Sequence, residues 1–235
     1  MKKLILWTAL LLTGLMSACK DSDSLNPVFI SNAAFELATD GWVADFSGYS
    51  TDSDSVALQR TALRSRLPFG LDTSQYAFLV QAAPNSNDQL FMYLKKVVTG
   101  FNPNVVYNIS FEVTVGTAYP SGAAGPGGVS GSNMFLKAGA SQTEPNKVLR
   151  NTIYEFNLDK GIPSQEGPAA IILGDATNGS GNSAYRLSTK TGSKSISVRP
   201  NANGEIWLFV GMDSGAVGLN TVFYDRIKVF LVAQQ

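Results

Sequence analysis

From Val105 to Val115 every second residue is apolar: Val105, Tyr107, Ile109, Phe111, Val113 and Val115 alternate with Val106, Asn108, Ser110, Glu112 and Thr114. A helix repeats its faces every 3.6 residues and cannot use such a pattern; a strand with one buried and one wet face can. Asn102-Pro103-Asn104 supplies the turn before it. The same reading predicts strands over Gly41–Phe46, Ser55–Gln59, Tyr76–Gln81, Leu90–Val98, Asn133–Ala138 and Thr152–Asn157, then over Ala169–Leu173, Ala184–Thr189, Ser193–Val198, Glu205–Gly211 and Val222–Val232. Leu90–Val98 also reads as a short helix, but its aromatic and β-branched residues favour a strand. Between the runs lie glycine, asparagine, serine and proline clusters, the longest from Gly116 to Ser132. It lacks the Gly-Lys-Ser/Thr ending of a phosphate-binding loop, and reads as a flexible loop or as the border of a ligand site. Many strands with glycine-rich turns imply an all-β fold, an antiparallel β-sandwich of jelly-roll type.

The N-terminus carries a different signal. Lys2 and Lys3 precede an apolar run from Leu4 to Leu12, and Leu15-Met16-Ser17-Ala18 leads to Cys19, the single cysteine of 235 residues. A basic start, a short apolar core and small residues before a cleavage point describe a secretory signal peptide, and the run is short for a membrane span. Leu15 to Cys19 resembles a bacterial lipobox, with Met16 where leucine is usual. On this reading residues 1–18 are a lipoprotein signal peptide, Cys19 is the lipidated mature N-terminus, residues 19–27 are a tether and residues 28–235 form the β-sandwich. Lys20-Asp21-Ser22-Asp23 resembles the charged segment after the lipidated cysteine of surface-exported Bacteroidetes-type lipoproteins, although a generic solvated linker looks much the same. The expected address is a bacterial outer membrane lipoprotein, cell-surface or periplasm-facing.

Composition narrows the chemistry. Loss of Lys2 and Lys3 from a chain with 18 basic and 18 acidic residues leaves a formal charge of −2. There is no basic tract, which argues against nucleic-acid binding. No disulfide can form inside the chain. It contains no histidine, so a Ser-His-Asp triad, a Cys-His pair and a histidine-based zinc site are all ruled out. Carboxylate pairs, Ser-Lys arrangements and oxygen-ligated metals remain. Asp45, Glu112, Glu205 and Asp213 are the acids to check for a glycosidase-type pair, with Asp213-Ser214-Gly215 reading as a turn.

Three segments resemble one family. Asn32-Ala33-Ala34-Phe35-Glu36 followed by Asp40-Gly41-Trp42, then Gly100 to Phe111, then Phe223-Tyr224-Asp225-Arg226-Ile227-Lys228-Val229 are similar to the opening, middle turn and strand, and last strand of galactose-binding-like carbohydrate-binding modules. The chain also resembles uncharacterised Bacteroidetes lipoproteins built on that pattern. The resemblance implies a jelly roll and a structural calcium held by Glu36 and Asp225 with backbone carbonyls. Arg226 departs from the family, and an arginine pairing with Glu36 or Asp225 would make the ion unnecessary. Sugar binding calls for flat aromatic faces beside amides and carboxylates. Trp42 and Trp207 read as core, the latter inside the apolar run Ile206–Val210. Tyr49, Tyr119, Tyr154 and Tyr185 are the ligand candidates, since they fall near loops or polar strand faces. The expected function is a non-catalytic glycan- or polysaccharide-binding module. The alternative is a structural or assembly lipoprotein that binds another envelope protein.

Overall fold

The computed structural model describes residues 28–52, 58–84, 89–214, 216 and 218–234. Cys19, the expected signal peptide and tether, and most of the strand expected at Ser55–Gln59 lie outside these residues; Leu58 and Gln59 form a turn. The described strands are, in order, β1 (Val28–Ala33), β2 (Val43–Ser47), β3 (Tyr49–Ser50), β4 (Thr61–Arg66), β5 (Tyr76–Ala82), β6 (Leu90–Val98), β7 (Tyr107–Thr117) and β8 (Met134–Ser141). They continue with β9 (Lys147–Arg150), β10 (Ile153–Phe156), β11 (Ala170–Asp175), β12 (Arg186–Thr191), β13 (Ile196–Val198), β14 (Ile206–Ser214) and β15 (Asn220–Ala233).

They form an antiparallel β-sandwich. One sheet has seven strands in the order β12-β7-β15-β5-β4, with β13 also paired to β7 and β1 to β15. The other has five, β11-β8-β14-β6-β2, and a small third sheet runs β3-β10-β9. The chain changes sheet between β5 and β6, β6 and β7, β7 and β8, β11 and β12, and again on both sides of β14. That is the crossing pattern of a jelly roll.

The alternation in β7 sets its register. Tyr107, Ile109, Phe111, Val113 and Val115 are buried, while Asn108, Ser110, Glu112 and Thr114 are half-exposed. β15 obeys the same rule with one break. Val222 and Tyr224 face the core, then Ile227, Val229 and Leu231 do. The parity switches at Asp225, where the pairing with β7 shifts between Tyr224 and Arg226. An inserted residue of this kind is a β-bulge, and it re-aims the side chain it carries.

The five-stranded sheet is buried on both faces. Leu208, Val210 and Met212 of β14 point into the main core. On the opposite face Phe91, Tyr93 and Phe209 are fully buried against Phe156, Leu158 and Ala169. Segment 144–169 thus lies over the sheet as a strap. Phe156 meets Phe91, Tyr93 and Phe209 edge-on at centroid distances of 4.9, 4.9 and 5.1 Å, a geometry favoured by the ring quadrupoles. Polar contacts fasten its start: Lys95 pairs with Glu144 at 2.7 Å and Lys147 with Asp45 at 2.9 Å.

Gly139 is what lets the strap lie flat. A Cβ there would stand 2.0 Å from the Ala169 carbonyl oxygen and 2.3 Å from the Phe209 ring. Gly139→Ala will therefore destabilise the fold by about 1–3 kcal/mol, the usual cost of overpacking. Gly181→Ala, whose Cβ meets nothing within 4 Å, will leave it unchanged. Thermal unfolding of the two variants checks the contrast, and equal melting temperatures would refute it.

Candidate functional site

Where β2 ends, Gly48 adopts φ +80° and carries the chain into β3; a Cβ at this position would lie 1.9 Å from the Gln89 carbonyl oxygen. This sharp turn and the β9–β10 hairpin leave a cavity of about 620 Å³ at the edge of the five-stranded sheet. Ile153, Phe156 and Leu158 give it apolar walls. Ser47, Ser50, Gln89, Thr152, Glu155 and Lys160 bring hydroxyl, amide, carboxylate and ammonium groups to the same space. Such a mixture, apolar surface with a few convergent polar groups, is the usual character of a small-molecule site.

A buried ion cluster underlies one end of it. Lys137, from the middle of β8, has no exposed side-chain surface and pairs with Asp213 Oδ2 at 3.0 Å. Its Nζ also donates to the carbonyls of Lys160, Ile162 and Gln165 at 2.8, 2.6 and 2.9 Å. One ammonium therefore organises the loop that walls the cavity. Lys160 returns from that loop to the same Asp213 oxygen at 2.7 Å, and its Nζ lies 5.2 Å from the Phe91 ring centroid. Burial lowers the pKa of Lys137, and the Asp213 carboxylate opposes the shift. Among the described residues, Asp213 Oδ1 and the Ser47 hydroxyl are buried without a hydrogen-bond partner.

The four tyrosines sort into two pairs. Tyr49 and Tyr154 are cross-strand neighbours with centroids 5.1 Å apart, beside the first cavity. Tyr119 and Tyr185 line a second cavity of about 400 Å³ with Gln81, Pro126, Thr221 and Phe223, so the glycine-rich stretch does border a cavity. Two placements differ from expectation: Tyr49 and Tyr119 are 5% and 2% exposed. The Arg60 guanidinium donates to the Tyr49 hydroxyl at 2.7 Å, and the Tyr119 hydroxyl accepts the Thr221 N–H at 2.8 Å. Burial pushes the Tyr119 phenol up to about 12. Tyr154 and Tyr185 keep partly open rings. Trp42 is core, as expected, whereas Trp207 is only half-buried because it sits on the outer face of β14 beyond the strap.

Glu36 and Asp225 do come near each other. Asp225 projects from the bulge, half-buried. Burial raises its carboxyl above the ordinary range, Arg226 opposes this and Glu36 adds to it. The Glu36 carboxylate accepts the Tyr76 N–H at 3.2 Å. The carbonyls that would complete a calcium shell are engaged: Arg64 Nε donates to Phe35 O at 2.7 Å and its Nη2 to Glu36 O. Arg226 turns to Asn32 instead. Calcium favours six to eight oxygens, and no group of three or more acidic, histidine or cysteine side chains suited to a metal occurs among the described residues. The donor set does not fit calcium without displacing Arg64. A carboxyl whose pKa is raised by folding contributes stability below its ordinary value and loses it as pH rises through the raised one. Asp225→Asn will therefore raise the melting temperature at neutral pH, the gain shrinking as pH falls through the raised value and gone below about pH 3.9, and EDTA will leave the wild type unchanged. A fall with either treatment would restore the ion.

The acids considered as a catalytic pair are dispersed or neutralised. Asp45 holds Lys147, Glu112 pairs with Lys228 at 2.7 Å on the other sheet, and Glu205 accepts from Asn201. Asp213, expected in a turn, lies in β14 and is buried between two lysines. Sequence reasoning missed Lys137 and Lys160. Lys137 had left a signal, as a lone charge inside the apolar run Met134–Ala140; Lys160, in a polar loop, had left none.

No family model and no curated protein matches the chain. Solved structures are similar to it at low identity. A Stig cyclase, Fisc, from Fischerella sp. TAU aligns at 11% identity and TM-score 0.42, covering 89% of this chain and all (100%) of that one. The carbohydrate-binding module TmCBM27, whose mannan recognition has been dissected, aligns at 8% identity and TM-score 0.39, covering 87% and 97%. TmCBM61, solved with beta-1,4-galactotriose, aligns at 10% identity and TM-score 0.33, covering 82% and 88%. Carbohydrate-binding modules and a cyclase thus stand side by side, and the fold assignment rests on the strand pairing described above.

Proposed function

We propose that this chain is a non-catalytic glycan-binding β-sandwich, carried at the bacterial outer membrane by lipid on Cys19, and that the 620 Å³ cavity is its ligand site. The observation that carries the reading is the lining. Ile153, Phe156 and Leu158 offer apolar surface to the C–H face of a sugar, while Ser50, Gln89 and Thr152 offer hydrogen bonds to its hydroxyls. A binding role also suits a chain without histidine, whose candidate acids are tied up by lysines and asparagine.

Ile153 is 44% exposed and sits at the hairpin tip, so its truncation tests the site without disturbing the core. Ile153→Ala will weaken polysaccharide binding about three- to tenfold, the scale of one to two buried methylenes, at unchanged melting temperature. Isothermal titration against oligosaccharides selected on a glycan array measures it, and equal affinity would place the ligand elsewhere. The anchor is tested separately. Cys19→Ser will move the protein from the membrane fraction to the soluble fraction, and a variant that stays membrane-bound would refute the lipid.

A further inference from the structure

At the end of the cavity beneath the loop, buried positive charge outnumbers buried negative charge. Lys137 and Lys160 share one oxygen of Asp213 at 3.0 and 2.7 Å, and the three side chains are 0%, 14% and 0% exposed. Two ammonium groups thus face a single carboxylate in a nearly dry place, where electrostatic terms are largest. Asp159 and Glu166 lie within electrostatic reach of Lys137, but from wetter positions, and Glu166 is engaged by Lys194. Asp159 is exposed and accepts the Gly161 N–H, and Glu155 faces Arg150 in a pair open to solvent on both sides, where charge is screened. Lys160 is the cation that reaches the cavity wall.

A second group converges on the same end. Ser47 lines the cavity, is fully buried, and its hydroxyl has no partner among the described residues. Ser47 is registered directly across from Phe91, the ring over which the Lys160 ammonium stands. A buried hydroxyl left without a hydrogen bond is costly, and here it lines the same cavity as the Lys160 ammonium. A neutral hydroxyl of a ligand could satisfy the serine but would leave the charge. A carboxylate satisfies both.

We infer that the cavity takes an acidic saccharide, with a uronic acid carboxylate set against the Lys160 ammonium and the Ser47 hydroxyl as its second donor. This rests on the reading of the cavity as a glycan site and names the class of glycan.

The test is titration of the full-length chain in detergent with galacturonate- and glucuronate-containing oligosaccharides and with the same oligosaccharides after carboxyl reduction. The acidic forms will bind about tenfold tighter at low salt, and the gap will narrow at about 0.5 M salt as the charge is screened. Lys160→Gln leaves Lys137 and Asp213 as a neutral one-to-one pair, so the fold is retained; it will abolish the preference for the acidic over the reduced forms. Lys160→Arg keeps the charge and will keep the preference. Equal or tighter binding of the reduced forms would overturn the inference and leave the glycan reading standing. Binding of neither form, nor of any neutral oligosaccharide, would overturn both.

Discussion

The Asp213 carboxylate is the point on which the functional half of the molecule depends. One of its oxygens takes both Lys137 and Lys160, and Lys137 in turn collects three carbonyls of the loop that returns to the sheet. Desolvating three charges is expensive, and only close geometry with well-satisfied donors offsets it. Loss of the Asp213 carboxylate would typically cost about 3–5 kcal/mol, because two buried ammonium groups would be left uncompensated. The cluster therefore acts less as a source of stability than as a device of position. It brings loop residues 158–161 to one place over the sheet and gives the cavity its wall.

The strap changes what a β-sandwich of this kind can present. An antiparallel sheet usually has one face on the core and one in water. Here the outer face of the five-stranded sheet carries Phe91, Tyr93 and Phe209, and segment 144–169 covers them. The aromatic surface of that face is used in packing. What remains open is displaced to the edge, where the β9–β10 hairpin meets the end of β2. The space there is a compact cavity with a polar end.

The two ends of the chain are joined by a different device. β1 and β15 pair along the same edge, and the bulge at Asp225 directs a carboxylate toward Glu36. In a fold without disulfides a cation is a natural link between such groups. Arg64 instead ties β4 to the Glu36 segment: it spans to the Phe35 and Glu36 carbonyls and lies 3.6 Å over the Tyr76 ring. A guanidinium holds two acceptors in a plane and stacks on an aromatic face at once.

The sandwich was legible in the residues because its cause is local: a period of two in β7 and β15, and turns of glycine, asparagine and proline. Leu90–Val98 formed a strand as its aromatics implied. Four strands escaped, β1, β3, β4 and β9: β3 and β9 are short and β4 carries two arginines, and an edge strand is fixed by its neighbour and not by its own pattern. The site was less legible. Tyr49 and Tyr154 were named but not as neighbours, and the parity change at Asp225 cannot be seen without the partner strand. Sequence alone determined that the chain alternates, that its one cysteine follows an apolar run, and that histidine chemistry is closed to it; these are properties of residue identity and spacing. Only the tertiary structure decided that Lys137, Lys160 and Asp213, separated by 23 and 53 positions, share one buried oxygen. Burial and charge pairing are properties of which distant segments are brought together, and no local period encodes them.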